Sequence, residues 1–203
     1  MNTPTFPKHD PATADFWDVR YREQFSPWDA GGVPASLKRW AAAEPAPRSV
    51  LIPGCGSAWE VEFFAALGWP VLAIDFSPAA VEAARRTLGP LADKVVQADF
   101  FGGTFTPASF DLIYERAFLC ALPRRLWSDW AARCHALLKP TGRLVGFFYD
   151  DDSERGPPFG LRAGELADLM RDRFTLESAS TPTDSIEVFR GKETWRVWRR
   201  IDR

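Results

Sequence analysis

The stretch SVLIPGCGSAWEVEFFAALG, residues 49–68, narrows the choice of folds more than any other segment. Its opening SVLI reads as a short buried strand, Gly54 and Gly56 bracket a turn, and the continuation reads as an amphipathic helix. A strand that runs through glycines straight into a helix is a unit of α/β architecture. The turn then lies beyond the carboxyl end of the strand, where open sheets bind ligands. A glycine there leaves room for the backbone to come close to one.

The rest of the chain repeats this alternation. Apolar runs at 71–74, 94–97, 110–114 and 144–149 join 49–52 as strand candidates, and helical patterns near 58–67, 78–88 and 126–138 lie between them. The first four strands lack clean in–out alternation, as suits parallel strands covered on both faces, and right-handed crossovers wind such strands into one sheet. After a helix over 164–173, TLESAST and ETWRVWRR follow with no helix between them, which predicts an antiparallel hairpin. Upstream, 14–24 and 33–44 read as helices, the first stopping before Pro27 and the second starting near Pro34. The proline-rich residues 1–12 read as a loose arm. The expectation is a single α/β domain over 1–203. Residues 46–203 form a Rossmann-like doubly wound sheet, mostly parallel with a C-terminal antiparallel hairpin, and residues 1–45 supply an arm and a helical lid.

Composition removes several functions. A chain of 203 residues with 46% hydrophobic residues can bury one sizeable core. Its formal net charge is −2 and no basic face is visible, which argues against nucleic acid as a partner. The longest apolar run, 63–74, is broken by Gly68 and Pro70 and too short to span a bilayer, so no membrane partner is expected. Cys55, Cys120 and Cys134 form neither a CxxC pair nor an even set, and the N-terminus lacks a basic segment followed by an apolar one. A cytoplasmic protein with reduced thiols, monomeric and acting on a small molecule, is the expectation.

Two acidic residues define what the glycine turn approaches. A phosphate loop is not expected, because no GK[ST] follows and Glu60 and Glu62 in the helix's first turns would repel a diphosphate. Asp75 ends the second strand, 19 residues past Gly56, where a carboxylate accepts hydrogen bonds from ribose hydroxyls. Asp99 ends the third strand in VVQADFF, where it could take the exocyclic amine of adenine while Phe100 contacts the ring. Either aspartate alone would serve equally as a helix cap or turn residue. Together they read as an adenosine site. A nicotinamide dinucleotide would use Asp75 too, but the chain leaves little room for a separate substrate domain.

At this point the chain resembles S-adenosylmethionine-dependent methyltransferases. More narrowly, it is similar to the thiopurine S-methyltransferase-like group, which includes thiol and halide methyltransferases. The resemblance is carried by FWDVRYREQFSPWDAGGVP (16–34), VLIPGCGSA (50–58), FDLIYERAFLCALP (110–123), GPPF (156–159) and GKETWRVW (191–198). It departs from the general methyltransferase pattern at Ile52, where an acidic residue often precedes the first glycine, and at Ala58, where a third glycine often stands. The narrower group accommodates both. The resemblance implies S-adenosylmethionine as cofactor, bound by Gly54, Gly56, Asp75, Asp99 and Phe100. It also implies a small soft methyl acceptor: a thiol, thiopurine, thiocyanate or halide.

The aromatic N-terminus fits that cofactor. Trp17 and Tyr21 are four residues apart and share one helix face, and Trp28 follows in SPWD. They are either core packing or a lid whose ring faces stabilise a sulfonium cation; in the resembled group such positions line the cofactor. In YERAF, Tyr114, Glu115 and Arg116 fall at the cofactor edge. Glu115 is assigned to the cofactor site. Arg116 is assigned to an anionic substrate, with an ion pair to Glu115 or Asp111 as the alternative. The only histidines, His9 and His135, lie in the arm and in a helix, so no general base is evident. A nucleophile that is already anionic or soft needs none. Asp150, Asp151 and Asp152 raise the rival of a magnesium-dependent O-methyltransferase, but consecutive side chains rarely converge on one ion, and no metal is expected. A non-catalytic cofactor-binding module is the remaining alternative.

Overall fold

The computed structural model describes residues 6–202. The chain runs through α1 (Ala14–Arg22), α2 (Ala35–Ala42), β1 (Val50–Pro53), α3 (Trp59–Ala66), β2 (Val71–Asp75), α4 (Pro78–Leu88) and β3 (Val95–Gln97). It continues through β4 (Phe110–Arg116), α5 (Trp127–Leu137), β5 (Leu138–Tyr149), α6 (Glu165–Met170), β6 (Phe174–Ser180) and β7 (Glu193–Arg200). One sheet has the order β3-β2-β1-β4-β5-β7-β6, in which β1 through β5 pair in parallel and β7 pairs antiparallel with both β5 and β6. The expected doubly wound sheet and its antiparallel C-terminal pair are both present. The order reverses between β1 and β4, which places the crevice at their carboxyl ends.

Burial on both faces explains the unbroken apolar runs. Successive side chains point to opposite faces. Ile52 therefore packs with Val61 and Phe64 on one side of the sheet, while Leu51 packs with Trp130 and Leu137 on the other. β5 starts earlier than expected, at Leu138 directly after α5, because Leu138 already pairs with Phe110 before the register shifts.

The N-terminal helix is fastened rather than laid on top. Ser77 caps α4 by accepting the Ala80 N–H at 3.1 Å, with Pro78 next to it. From α1, the buried carboxylate of Asp18 accepts the Ser77 hydroxyl and the Ala79 N–H (3.1 Å), so it extends the same cap. The expected loose arm needs correction from Phe6 onward. Phe6 lies against Phe25 with ring centroids 5.3 Å apart, and the Arg20 guanidinium sits over the Phe6 ring. Residues 1–5 of that expected arm lie outside the described residues. Among the described residues, no helix is long and apolar enough to cross a membrane.

Asp18→Ala strips the buried Ser77 hydroxyl and the half-buried Ala79 N–H at the α4 start of their acceptor and should lower stability by about 1–3 kcal/mol. Arg22→Ala, which removes only the solvent-side partner of Asp18 at 3.4 Å, should cost under about 1 kcal/mol. Urea unfolding checks the contrast; equal midpoints for Asp18→Ala and wild type would show that α1 is not held through this cap.

Candidate active site

At the reversal point the sheet opens into a cavity of about 580 Å³, within the usual size range of ligand pockets. The glycine turn after β1 forms one wall and the N-terminal aromatics another, and Arg116 with Phe118 closes the end of β4.

The turn works by left-handed backbone. Gly54 and Gly56 have φ of +58° and +51°, a region in which a Cβ is strained. Both also admit side chains. A Cβ on Gly56 would stand 2.5 Å from the Tyr21 hydroxyl, and one on Gly54 would run into the Phe118 ring. The close approach read from the sequence is thus made first by the protein's own aromatics. Ala58, where a third glycine often stands, also takes φ +56°.

Asp75 holds this turn. Its Oδ2 accepts the Gly56 N–H at 3.1 Å and its Oδ1 accepts the Ser77 N–H at 2.9 Å, so one carboxylate joins the glycine turn to the start of α4. Burial pushes its pKa up to about 6. Asp75 lines the cavity, as do Ala98 and Phe100 after β3.

Two expected cofactor residues are placed elsewhere. Asp99 is exposed and accepts the Phe101 N–H at 2.9 Å; it caps its own turn and does not line the cavity. Glu115 is also absent from the lining. The alternation of β4 turns it to the face opposite Arg116, where it is buried and its Oε1 accepts the Phe118 and Leu119 N–H groups at 2.8 and 3.0 Å. Burial pushes its pKa up to about 7. Glu115 therefore shapes the loop that carries Phe118 from behind.

The three expected aromatics do converge. Trp17 meets Trp28 edge-on at 5.4 Å between centroids, Tyr21 meets Trp28 at 6.1 Å, and the Trp28 indole N–H points to the Tyr21 hydroxyl at 3.4 Å. All three line the cavity. Asp29, in the loop after Trp28, ties that loop to the glycine turn. It accepts the Trp59 indole N–H at 2.7 Å and the Ser57 hydroxyl.

Arg116 is a buried cation in the cavity lining. Its Nε, Nη1 and Nη2 are buried without a hydrogen-bond partner among the described residues, and the guanidinium lies over the Phe147 ring at 4.0 Å. The alternative ion pairs with Glu115 or Asp111 are not formed. Asp111 instead engages Ser49 and Lys139, while the nearest carboxylate to Arg116 is Glu193 on β7, 3.8 Å from Nη1. Glu60 also lines the cavity, buried, with burial pushing it up to about 7. Sequence reading took Glu60 only as a charge near a helix start. The overlooked signal is that it lies four residues before Phe64, on the buried face of α3. Val188 and Phe189, which also line the cavity from a segment between β6 and β7, carried no motif.

The aspartates after β5 diverge. Asp150 accepts from Arg196 at 2.8 and 2.9 Å and from Thr194 at 2.6 Å, and Asp151 pairs with Lys192. Among the described residues, no group of three or more His, Cys, Asp or Glu side chains is arranged to hold a metal ion. His135 lies 2.9 Å from the Ile201 carbonyl through Nε2 and edge-on to Phe174, outside the cavity lining.

An aromatic-walled cavity at the β1/β4 crevice, with a buried guanidinium that has no hydrogen-bond partner among the described residues, is the candidate small-molecule site of this doubly wound sheet. The chain matches the thiopurine S-methyltransferase family over residues 12–201 and belongs to it. It is 30% identical over 194 residues to thiocyanate methyltransferase 1 of Brassica oleracea, covering 92% of this chain and 85% of that protein. It is 31% identical over 182 residues to the thiopurine S-methyltransferase of Pseudomonas fluorescens strain SBW25, covering 80% and 84%. Among solved structures, it shares the fold of Burkholderia thailandensis 1,6-didemethyltoxoflavin-N1-methyltransferase, crystallised with bound 1,6-didemethyltoxoflavin and S-adenosylhomocysteine. The TM-score there is 0.75 at 20% identity, over 98% of this chain and 94% of that one. The protein is an S-adenosylmethionine-dependent methyltransferase.

Gly56→Ala should destabilise the fold by roughly 1–2 kcal/mol from the backbone alone, with a further penalty from the Tyr21 hydroxyl. Tyr21→Phe removes the oxygen that the new methyl meets, so the double variant should recover about 0.5–2 kcal/mol of the sum of the single effects. Strict additivity in denaturant unfolding would show that Tyr21 does not press on the turn.

Proposed function

We propose that the cavity binds S-adenosylmethionine between the glycine turn and the N-terminal aromatics, and holds a small soft anionic acceptor (a thiolate, thiocyanate or halide) at Arg116. The observation that carries this reading is the Arg116 guanidinium, buried with none of its three nitrogens hydrogen-bonded among the described residues and only a long 3.8 Å ion pair to Glu193, in a cavity otherwise largely apolar. A buried cation without hydrogen bonds is costly unless a ligand satisfies it, and an anion does so with charge-assisted bonds. The names of the relatives, which include thiocyanate, thiol and thiopurine methyltransferases, support the same acceptor class.

The residues present fit the cofactor. Trp17, Tyr21 and Trp28 offer ring faces to a cation, Asp75 at the end of β2 keeps acceptor capacity toward ribose hydroxyls, and Phe100 offers a flat apolar surface to adenine. When bound, S-adenosylmethionine supplies an electrophilic methyl group on a sulfonium. The chain's own contribution is positioning and exclusion of water. Arg116 fixes the acceptor and the aromatic wall keeps the site dry, which strips solvent from the nucleophile and strengthens the electrostatics within. An anionic acceptor arrives without a proton to lose, and so needs no base.

Arg116→Met should raise KM for thiocyanate or a thiol acceptor about 10- to 100-fold, as expected for losing a charged hydrogen-bond donor worth roughly 1.5–3 kcal/mol. Its S-adenosylhomocysteine affinity by calorimetry should stay within about threefold of wild type. Acceptor KM values unchanged in a folded Arg116→Met enzyme would remove Arg116 from the acceptor site.

A further inference from the structure

Arg116 answers to two carboxylates. On β7, Glu193 keeps Oε1 3.8 Å from its Nη1. From the first turn of α3, Glu60 lines the same cavity, buried and within electrostatic reach of the guanidinium. Neither hydrogen-bonds it, since all three guanidinium nitrogens are unpartnered among the described residues. Arg116 is thus held among opposite charges without being satisfied by them. An incoming anion must share its charge with Glu193 and Glu60.

We propose that Glu60 competes with the anionic methyl acceptor for Arg116 and so sets how tightly the site holds it. The inference rests on the acceptor reading given above. With both glutamates ionised, the three side chains sum to one negative charge and oppose an entering anion. With Glu60 protonated they sum to zero. In a buried, weakly screened site a change of one unit charge in the lining changes an anion's affinity by about an order of magnitude.

The surroundings favour a switch near neutrality. Burial raises Glu60 from an ordinary 4.5 to about 7, the Arg116 charge opposes that rise, and Asp29 from the loop beyond α1 adds to it. Tyr114 on β4 and Cys55 in the glycine turn also face Glu60, and burial holds both well above their ordinary values, so neither ionises in this range. Asp184 lies on the Arg116 side of the site, along with Glu193. Asp75, at about 6, flanks the cavity beside Cys55 and Tyr21. The sign follows from the raised value. Glu60 is neutral below about pH 7 and charged above it, so anion affinity falls as pH rises. By linkage, a bound anion draws a proton onto Glu60.

Thiocyanate, ionised throughout this range, is a suitable probe. Calorimetric titration of the S-adenosylhomocysteine-saturated protein should show Kd rising about 5- to 50-fold from pH 6 to pH 8.5. Near pH 7, binding should take up a fraction of a proton, read from buffers of different ionisation enthalpy. The isosteric Glu60→Gln should bind at both pH values about as tightly as wild type does at pH 6, with the uptake gone. Glu193→Gln should retain most of the pH dependence. A dependence that survives in Glu60→Gln, or that disappears in Glu193→Gln instead, overturns the inference. So does a wild type whose thiocyanate affinity is flat with pH; if Arg116→Met then still abolishes binding, the acceptor reading itself stands. A wild type that binds no thiocyanate at either pH overturns the acceptor reading and this inference together. The proton-uptake measurement on wild type needs no variant to fold.

Discussion

The carboxylate of Asp75 is the tie on which the site depends. It receives the Gly56 N–H on one oxygen and the Ser77 N–H on the other, and Ser77 is in turn the acceptor that starts α4 and the donor to Asp18 of α1. One buried acid thus fixes the glycine turn, a sheet-flanking helix and the N-terminal helix relative to one another. Keeping it out of water costs enough to raise its pKa to about 6. The cost is tolerated because two backbone donors would otherwise be buried unpaired.

From that tie the cavity follows. A left-handed turn held in place leaves no Cβ at Gly54 or Gly56, and the vacated space is filled by Phe118 and Tyr21. Tyr21 then positions Trp28, which meets Trp17. The result is a site walled by rings, in which any charge is poorly solvated. Arg116, Glu60 and Glu193 have their interactions strengthened by the same dryness that makes each expensive to bury. A buried guanidinium without hydrogen bonds among the described residues, beside two buried glutamates, is the kind of arrangement found at sites that bind and react.

Much of this was legible in the chain, and the boundary has physical causes. Strand and helix positions followed from apolar periodicity, because strands covered on both faces must be apolar throughout, as Leu51 and Ile52 show by packing to opposite sides. The glycine turn, Asp75, Phe100, the aromatic trio and Arg116 were singled out because each lies close in sequence to a strand end or helix face, and all of them line the cavity. Asp99 and Glu115 were read toward the cavity but do not line it, for a shared reason. Occupying a strand end does not say which way a side chain turns, and a local backbone N–H captured each one first: Phe101 for Asp99, Phe118 and Leu119 for Glu115. Glu193, Val188 and Phe189 come from distant segments, and only tertiary contact brings them to the cavity. Phe6 looked loose because its partners, Phe25 and Arg20, are set by the fold rather than by sequence neighbours.

The central claim is that one cavity joins a cofactor pocket under the aromatics to an anion site at Arg116. A crystal structure of the protein with S-adenosylhomocysteine and iodide tests it most directly, because anomalous scattering locates the halide without assumptions. The account predicts S-adenosylhomocysteine between Gly54–Gly56 and Trp17, Tyr21 and Trp28, with an iodide peak within about 4 Å of the Arg116 guanidinium, at ion-pair range. Iodide only at surface sites, or a cofactor product bound away from the aromatic wall, would contradict it.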